Sequence, residues 1–126
     1  MLCDSNILIY GAEPDETRLD PFLHNPNACI ASITRIEVLG FTGFEKLDAA
    51  RKKRLSNLVA SLVELPLNET IIQEAITLRR QRKMSLGDAI IGATALIYGL
   101  ALVTRNTDDF KHLAGLQLIN PYHQLA

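Results

Sequence analysis

The chain has 126 residues, 48% apolar and 21% charged, as expected of one globular domain with a proper core. No stretch approaches the ~18–20 uninterrupted apolar residues of a membrane-crossing helix, and no basic segment leads an apolar run at the N-terminus, so a cytoplasmic protein without a membrane anchor is expected. The net charge of −1 lacks the basic footprint usual in nucleic-acid binding, although it does not decide the matter if some of the acids hold a metal.

Met1 to Asp4 reads as a short strand passing directly into an apolar helix, Ser5 to Gly11. Glu13 to Asn27 carries Pro14, Pro21 and Pro26, so a short helix bounded by turns is expected there. Ala28 to Ser32 reads as a buried strand. Thr34 to about Gly40 reads as a helix that the Gly40–Gly43 segment breaks. Leu47 to Leu62 has apolar residues at helical spacing, with Arg51-Lys-Lys-Arg54 on the other face. Val63 to Pro66 is a short strand. Asn68 caps a helix that runs to about Lys83, with the basic run Arg79 to Lys83 at its end. Each basic run is expected to be a solvated helix face. Ser85 opens a strongly apolar helix that Gly99 ends. Leu100 to Thr104 is an apolar strand, and Leu116 to Asn120 is a last short one, stopped by Pro121.

This alternation implies a parallel sheet covered on both faces, in a single domain over residues 1–126. Repeats, low-complexity tracts and linkers are absent. Cys3 and Cys29 lie inside strand-like runs without zinc or redox spacing and read as small buried hydrophobes. His24, His112 and His123 are scattered and read as surface or structural residues.

Four acids stand at the leading edges of apolar segments: Asp4, Glu37, Asp88 and Asp109. In open α/β sheets, sites form at the carboxyl ends of the strands. Asp4 ends the first expected strand, Glu37 follows the second and Asp109 the fourth, while the helix bearing Asp88 packs beside them. Brought together, they form an oxygen-only pocket suited to Mg²⁺ or Mn²⁺. Such a site is typical of a small metal-dependent nuclease. Setting these acids aside turns the −1 of the whole chain into +3 for the remainder.

A plainer explanation competes. Glu37 follows Thr34 by three residues, Asp88 follows Ser85 by three, and Asp109 follows Asn106 by three. Each spacing suits a helix cap, where a carboxylate near the N-terminus gains about 0.3–1 kcal/mol. Two considerations weigh against caps alone: the acids follow strand ends, and the surroundings of Asp88 are apolar, where an unpaired carboxylate is costly.

Four segments resemble the PIN domain: Asp4-Ser-Asn-Ile-Leu-Ile-Tyr10, Ser32-Ile-Thr-Arg-Ile-Glu-Val-Leu39, Leu86-Gly-Asp-Ala-Ile-Ile-Gly-Ala-Thr-Ala95 and Leu102-Val-Thr-Arg-Asn-Thr-Asp-Asp-Phe110. More closely, they look like the VapC toxins of type II toxin–antitoxin systems. The resemblance implies a three-layer αβα sandwich with a short, mostly parallel sheet. It also implies an Mg²⁺- or Mn²⁺-dependent endoribonuclease whose metal-binding and catalytic acids fall on Asp4, Glu37, Asp88 and Asp109. Asn106 and Asp108 are alternatives for the last position. Ser5, standing where Thr is commoner, Asn6, Thr34, Thr104 and Asn106 fall where side chains orient those acids. Arg35, Arg105 and Lys111 lie near the motifs and could grip phosphates. The expected substrate is a structured RNA such as tRNA, left with 5′-phosphate and 3′-hydroxyl ends. The resemblance further implies a homodimer and an antitoxin partner, with apolar helix faces from Leu47 and Asn68 as candidate interfaces.

Three other folds or roles fit the sequence less well. A phosphoacceptor receiver domain expects paired acids after the first strand and a Lys after the last, but Ser5 and Asn6 follow Asp4 and no Lys follows Thr104 directly. A haloacid-dehalogenase-type phosphatase needs a second acid two residues after the first. A catalytically silent PIN-like module, kept for partner binding or DNA-bound repression, would tolerate loss of acids that this chain retains.

Overall fold

Short runs of aliphatic residues build a sheet of five strands, each two or three residues long. The strands are β1 (Leu2–Cys3), β2 (Cys29–Ala31), β3 (Val63–Leu65), β4 (Leu102–Val103) and β5 (Leu118–Ile119). The helices are α1 (Ser5–Gly11), α2 (Asp20–Leu23), α3 (Ser32–Gly40), α4 (Ala49–Ser61), α5 (Glu69–Gln81), α6 (Leu86–Tyr98) and α7 (Pro121–Gln124), with one-turn 3-10 helices at Phe44–Lys46 and Thr107–Asp109. This computed structural model describes residues 1–124, so the last two positions of the expected 1–126 domain, Leu125 and Ala126, lie outside the described residues.

Every expected element is present, and most are shorter than their apolar runs. Leu100–Thr104, for example, contributes only Leu102–Val103 to the sheet. The helix expected from Thr34 starts at Ser32, directly after β2, with Ala31 as its cap residue. Elsewhere the caps are conventional. Asp48 accepts the Arg51 N–H at 2.8 Å and Asn68 accepts the Ile71 N–H at 2.9 Å. Gly99 closes α6 with φ 64°, a conformation that favours glycine.

All pairings are parallel, in the order β3-β2-β1-β4-β5. The chain steps outward from β1 to β3, then returns to the other side of β1 with β4. The order therefore reverses between β1 and β4, where Leu2 pairs with Leu102 and Cys3 with Val103. Beyond the carboxyl ends of two such strands lies the crevice where open α/β sheets place ligands.

Side-chain alternation along the strands divides the core in two. Leu2, Cys29, Ala31 and Leu102 face α5 and α6. Cys3, Ile30 and Val103 face α1, α2 and α4. The result is a three-layer αβα sandwich. Both cysteines are free and buried, and burial pushes the Cys3 thiol up to about 12. Phe110, fully buried against the α6 side, anchors the turn after β4. Burying such a side chain contributes about 1.5–3 kcal/mol, which holds Asp109 at the carboxyl end of the sheet. Among the described residues no helix is long and apolar enough to cross a membrane.

Candidate active site

Asp4 sits where β1 becomes α1. Its backbone is extended, and its Oδ1 accepts the Ser5 N–H at 2.7 Å, so it caps α1. Its Oδ2 accepts the Thr104 hydroxyl at 2.8 Å. Thr104 follows β4 and is fully buried; its Oγ1 also accepts the Asn106 N–H at 3.0 Å. The reversal point of the sheet is thus closed by a carboxylate from one strand and a hydroxyl from the other.

Glu37 comes from α3. Its Oε1 accepts the Ser5 hydroxyl at 2.6 Å, while its Oε2 lies so close to α6 that a Cβ on Gly87 would stand 2.7 Å away. The carboxylate therefore rests against the first turn of α6, where only glycine leaves room. Asp88 is the next residue of that turn. Its N–H donates to Ser85 Oγ at 3.1 Å. Asp109 is exposed and ends the 3-10 turn, where its N–H donates to the Asn106 carbonyl at 3.1 Å.

These acids sense one another. Burial raises the Asp4 carboxyl above its ordinary range; the Thr104 and Ser5 hydrogen bonds oppose this, and the charges of Glu37 and Asp109 add to it. Burial also raises Asp88, as do the charges of Asp4 and Asp109, against the Ser85 hydroxyl. Among the described residues none of these four acids has an ion-pair partner, whereas Glu13, Glu16, Glu45, Asp48 and Glu64 each pair with an Arg or Lys. A buried carboxylate with like charges nearby and no counter-charge is costly.

A hard divalent cation matches this donor set, because all the candidate ligands are carboxylate oxygens. The ligands do not stand as a closed cage: among the described residues no three Asp, Glu, His or Cys side chains form a ready-made metal group. Mg²⁺ is usually held by one or two carboxylates and keeps several waters, so a buried Asp4 with its neighbours reaching through water fits such an ion.

The supporting residues divide. Ser5 and Thr104 hold the acids directly, Ser5 through both its N–H and its hydroxyl. The Asn6 side chain makes no hydrogen bond among the described residues, and Asp4 is held by Ser5 and Thr104. Thr34 is fully buried with a hydroxyl that has no partner among the described residues. Asn106 contributes backbone groups only. Arg35 pairs with Glu64 at 2.9 Å and Lys111 with Asp108 at 3.2 Å. The Arg105 guanidinium lies over the rings of Tyr10 and Tyr122.

Of the three capping pairs, only Ser85 with Asp88 forms. Glu37 lies mid-helix because α3 starts at Ser32, and Asn106 offers no side-chain cap. The close approach of Gly87 was not anticipated, although a glycine inside a helix turn costs about 1 kcal/mol and so signals a packing reason.

Residues 1–116 match the family model described as the PIN domain. A toxin–antitoxin complex from Klebsiella pneumoniae contains a similar chain, 32% identical, with 96% of this chain and 97% of that one covered and a TM-score of 0.77. VapBC2 from Rickettsia felis bound to a DNA fragment from its promoter (22% identity, 94% and 96% covered, TM-score 0.75) shares the fold. So does FitAcB from Neisseria gonorrhoeae (23% identity, 97% and 98% covered, TM-score 0.72). No curated protein sequence matches the chain. The match over 116 residues, together with the sheet order and the acids at its reversal point, means that this chain belongs to the PIN domain family.

Proposed function

We propose that this protein is an Mg²⁺- or Mn²⁺-dependent endoribonuclease and the toxin of a type II toxin–antitoxin pair. The observation that carries the reading is Asp4: buried, fixed by two donors at the reversal point, surrounded by like charge and lacking any cationic side chain.

Asp4, Glu37 and Asp88 would hold the ion, directly or through water, with Asp109 completing the set. A bound divalent ion supplies water activation and charge stabilisation on the phosphate. The chain's own residues do the rest. Ser5 and Thr104 fix the carboxylates of Glu37 and Asp4, so little ordering remains for when substrate arrives. A carboxylate of this set that lies beside the attacking water would accept its proton. RNA, with tRNA as the expected class, would lie across the carboxyl ends of β1 and β4.

The toxin assignment draws on the Klebsiella pneumoniae chain, which comes from a toxin–antitoxin complex. A cognate antitoxin is accordingly the proposed partner, and the proposed site of action is the cytoplasm. Homodimer formation draws on exposed apolar side chains. Ile36 is 66% exposed, Val63 60% and Leu67 48%, and Ile72 and Ile76 of α5 lie exposed as well. Of the two helices expected to offer such a face, α4 turns Leu55, Leu58 and Val59 inward, which leaves α5.

A second reading has one observation in its favour. VapBC2 from Rickettsia felis, which shares this fold, is bound to a DNA fragment from its promoter, as suits a catalytically silent module kept for partner binding or for a DNA-bound repressor complex. Incubating the purified chain with RNA in Mg²⁺ and in EDTA separates the two. Cleavage only with metal, lost in Asp4→Asn, supports the enzyme; equal and negligible cleavage in both supports the silent module.

A further inference from the structure

The basic residues near the acids are not equivalent. Arg35 is neutralised by Glu64 and Lys111 by Asp108. Arg18, further along the same flank, is held by Glu16 through Nε at 2.9 Å and Nη2 at 2.7 Å. Arg105 makes no ion pair among the described residues, although Asp108 and Asp109 follow it closely in the chain.

Aromatic rings hold Arg105 instead. Its Cζ lies 4.9 Å from the ring centroid of Tyr10 and 5.1 Å from that of Tyr122. The Arg18 guanidinium lies 4.7 Å from the same Tyr122 ring, and the Tyr122 hydroxyl reaches Glu16 at 3.4 Å. Tyr10, Arg105, Tyr122 and Arg18 thus form a mixed stack in which Glu16 neutralises the far arginine and tethers the second ring. A guanidinium stacked on rings keeps its N–H donors in the plane between them. Those donors suit a two-oxygen grip on a phosphate.

Position supports this use. Arg105 follows Thr104, whose hydroxyl holds Asp4, so its Cα is about 3.8 Å along the chain from that of the site residue. Tyr10 belongs to α1, the helix that Asp4 caps. An exposed, unneutralised cation beside a cluster of carboxylates also offsets the repulsion that a polyanion meets on approach.

We propose that Arg105, clasped between Tyr10 and Tyr122, is a binding site for a backbone phosphate of the RNA strand next to the cleaved bond. Tyr10 and Tyr122 are positioning residues that act through Arg105. This rests on the ribonuclease reading for its substrate, and the test keeps the two apart.

The probe is a short, fluorescently labelled, mixed-sequence RNA hairpin. Its binding to the full chain is followed by anisotropy in EDTA across a salt series, and its cleavage is followed separately in Mg²⁺. Arg105→Ala is expected to weaken binding about tenfold and to lower the slope of log affinity against log salt by about one. In Mg²⁺ it raises the half-saturating RNA concentration by a similar factor, with the saturating rate within about twofold. Tyr10→Leu and Tyr122→Leu follow in the same direction, while Tyr10→Phe, which keeps the ring, stays within about twofold of the parent. Thermal melts check that each variant folds. Parent-like binding and salt slope in Arg105→Ala overturn the inference even when Mg²⁺-dependent cleavage is intact, and so does loss confined to an acidic peptide ligand. A parent that binds through Arg105 but never cleaves leaves this site standing and sinks the nuclease reading. A parent that neither binds the RNA in EDTA nor cleaves it in Mg²⁺ overturns both, and one that cleaves without binding in EDTA overturns this site alone.

Discussion

The Thr104 hydroxyl donates to Asp4 Oδ2 at 2.8 Å, joining residues 100 positions apart at the point where the sheet order reverses. Both side chains are buried, and the same hydroxyl accepts the Asn106 N–H. One side chain therefore orients the central carboxylate and anchors the turn that leads to Asp109.

Thr104→Val tests that link. The methyl group fills the space of the hydroxyl, but Asp4 loses a donor and the Asn106 N–H loses its acceptor. Metal-dependent cleavage is expected to fall about 10–100-fold, as when a partner that orients a metal ligand is removed. Stability should fall by about 1–3 kcal/mol, read by thermal or urea unfolding.

Asp4→Asn is expected to abolish cleavage yet stabilise the metal-free protein by about 1 kcal/mol, a rise of ~2–8 °C in the unfolding midpoint. The amide has nearly the same shape, keeps an acceptor for the Ser5 N–H and meets Thr104 Oγ1 with the hydrogen bond reversed, the amide now donating, while a buried negative charge beside Glu37 and Asp109 disappears. The pH dependence has a definite sign. The folded-state carboxyl titrates above its ordinary 3.8, so the folded protein binds more protons than the unfolded chain within that window. Parent stability without metal should therefore decline as pH rises from about 4 through the folded-state value. Denaturant midpoints across pH, compared between parent and variant, measure this. An identical decline in both would remove Asp4 as its source.

Gly87→Ala separates the site from the fold. The new methyl would stand 2.7 Å from Glu37 Oε2, and the exposed end of that side chain can swing aside at small cost. Alanine also favours the helix by up to ~1 kcal/mol. Stability is therefore expected to be unchanged or slightly raised. Displacing Glu37 breaks its hydrogen bond to Ser5, so cleavage should drop about tenfold or more. Parent-like cleavage in a well-folded Gly87→Ala protein would show that the seat of Glu37 is unimportant.

The apolar edge offers another test. Ile36, Leu65, Leu67 and Ile90 line a groove of about 110 Å³ beside the edge strand β3. If two copies meet here, Ile36→Glu or Leu67→Glu should shift the protein from dimer to monomer in sedimentation experiments, because an unpaired charge would then be buried. A parent that is monomeric at all concentrations, or charged variants that remain dimeric, would place self-association elsewhere or nowhere.

The order of elements was legible because each strand is a short aliphatic run and each long helix carries a cap or an apolar stripe. Asp48, Asn68, Ser85 and Gly99 mark their helix ends as local chemistry dictates. The meeting of Asp4 with the fourth strand was legible from the parallel-sheet rule, which places sites at strand carboxyl ends. Side-chain partners across long separations were not. Nothing near Arg35 in the sequence foretells its pairing with Glu64, since adjacency of β2 and β3 creates that contact. The resemblance implies that Asn6 orients Asp4, but among the described residues the hydrogen bonds to that carboxylate come from Ser5 and Thr104. The early start of α3 removed the capping explanation for Glu37, and no local signal at Ser32 marks that start. Tyr10 and Tyr122 share no periodic pattern, and only the fold brings the Arg105 guanidinium over both rings.

The most direct measurement is anomalous diffraction from a crystal of the parent protein soaked in Mn²⁺, with Asp4→Asn as control. A peak at coordination distance from Asp4, with Asp88 or Glu37 reached directly or through water and no peak in the variant, is the predicted result. A well-ordered site in the soaked parent crystal with no peak beside Asp4, or the same peak in the variant, would contradict a cation shared among these carboxylates.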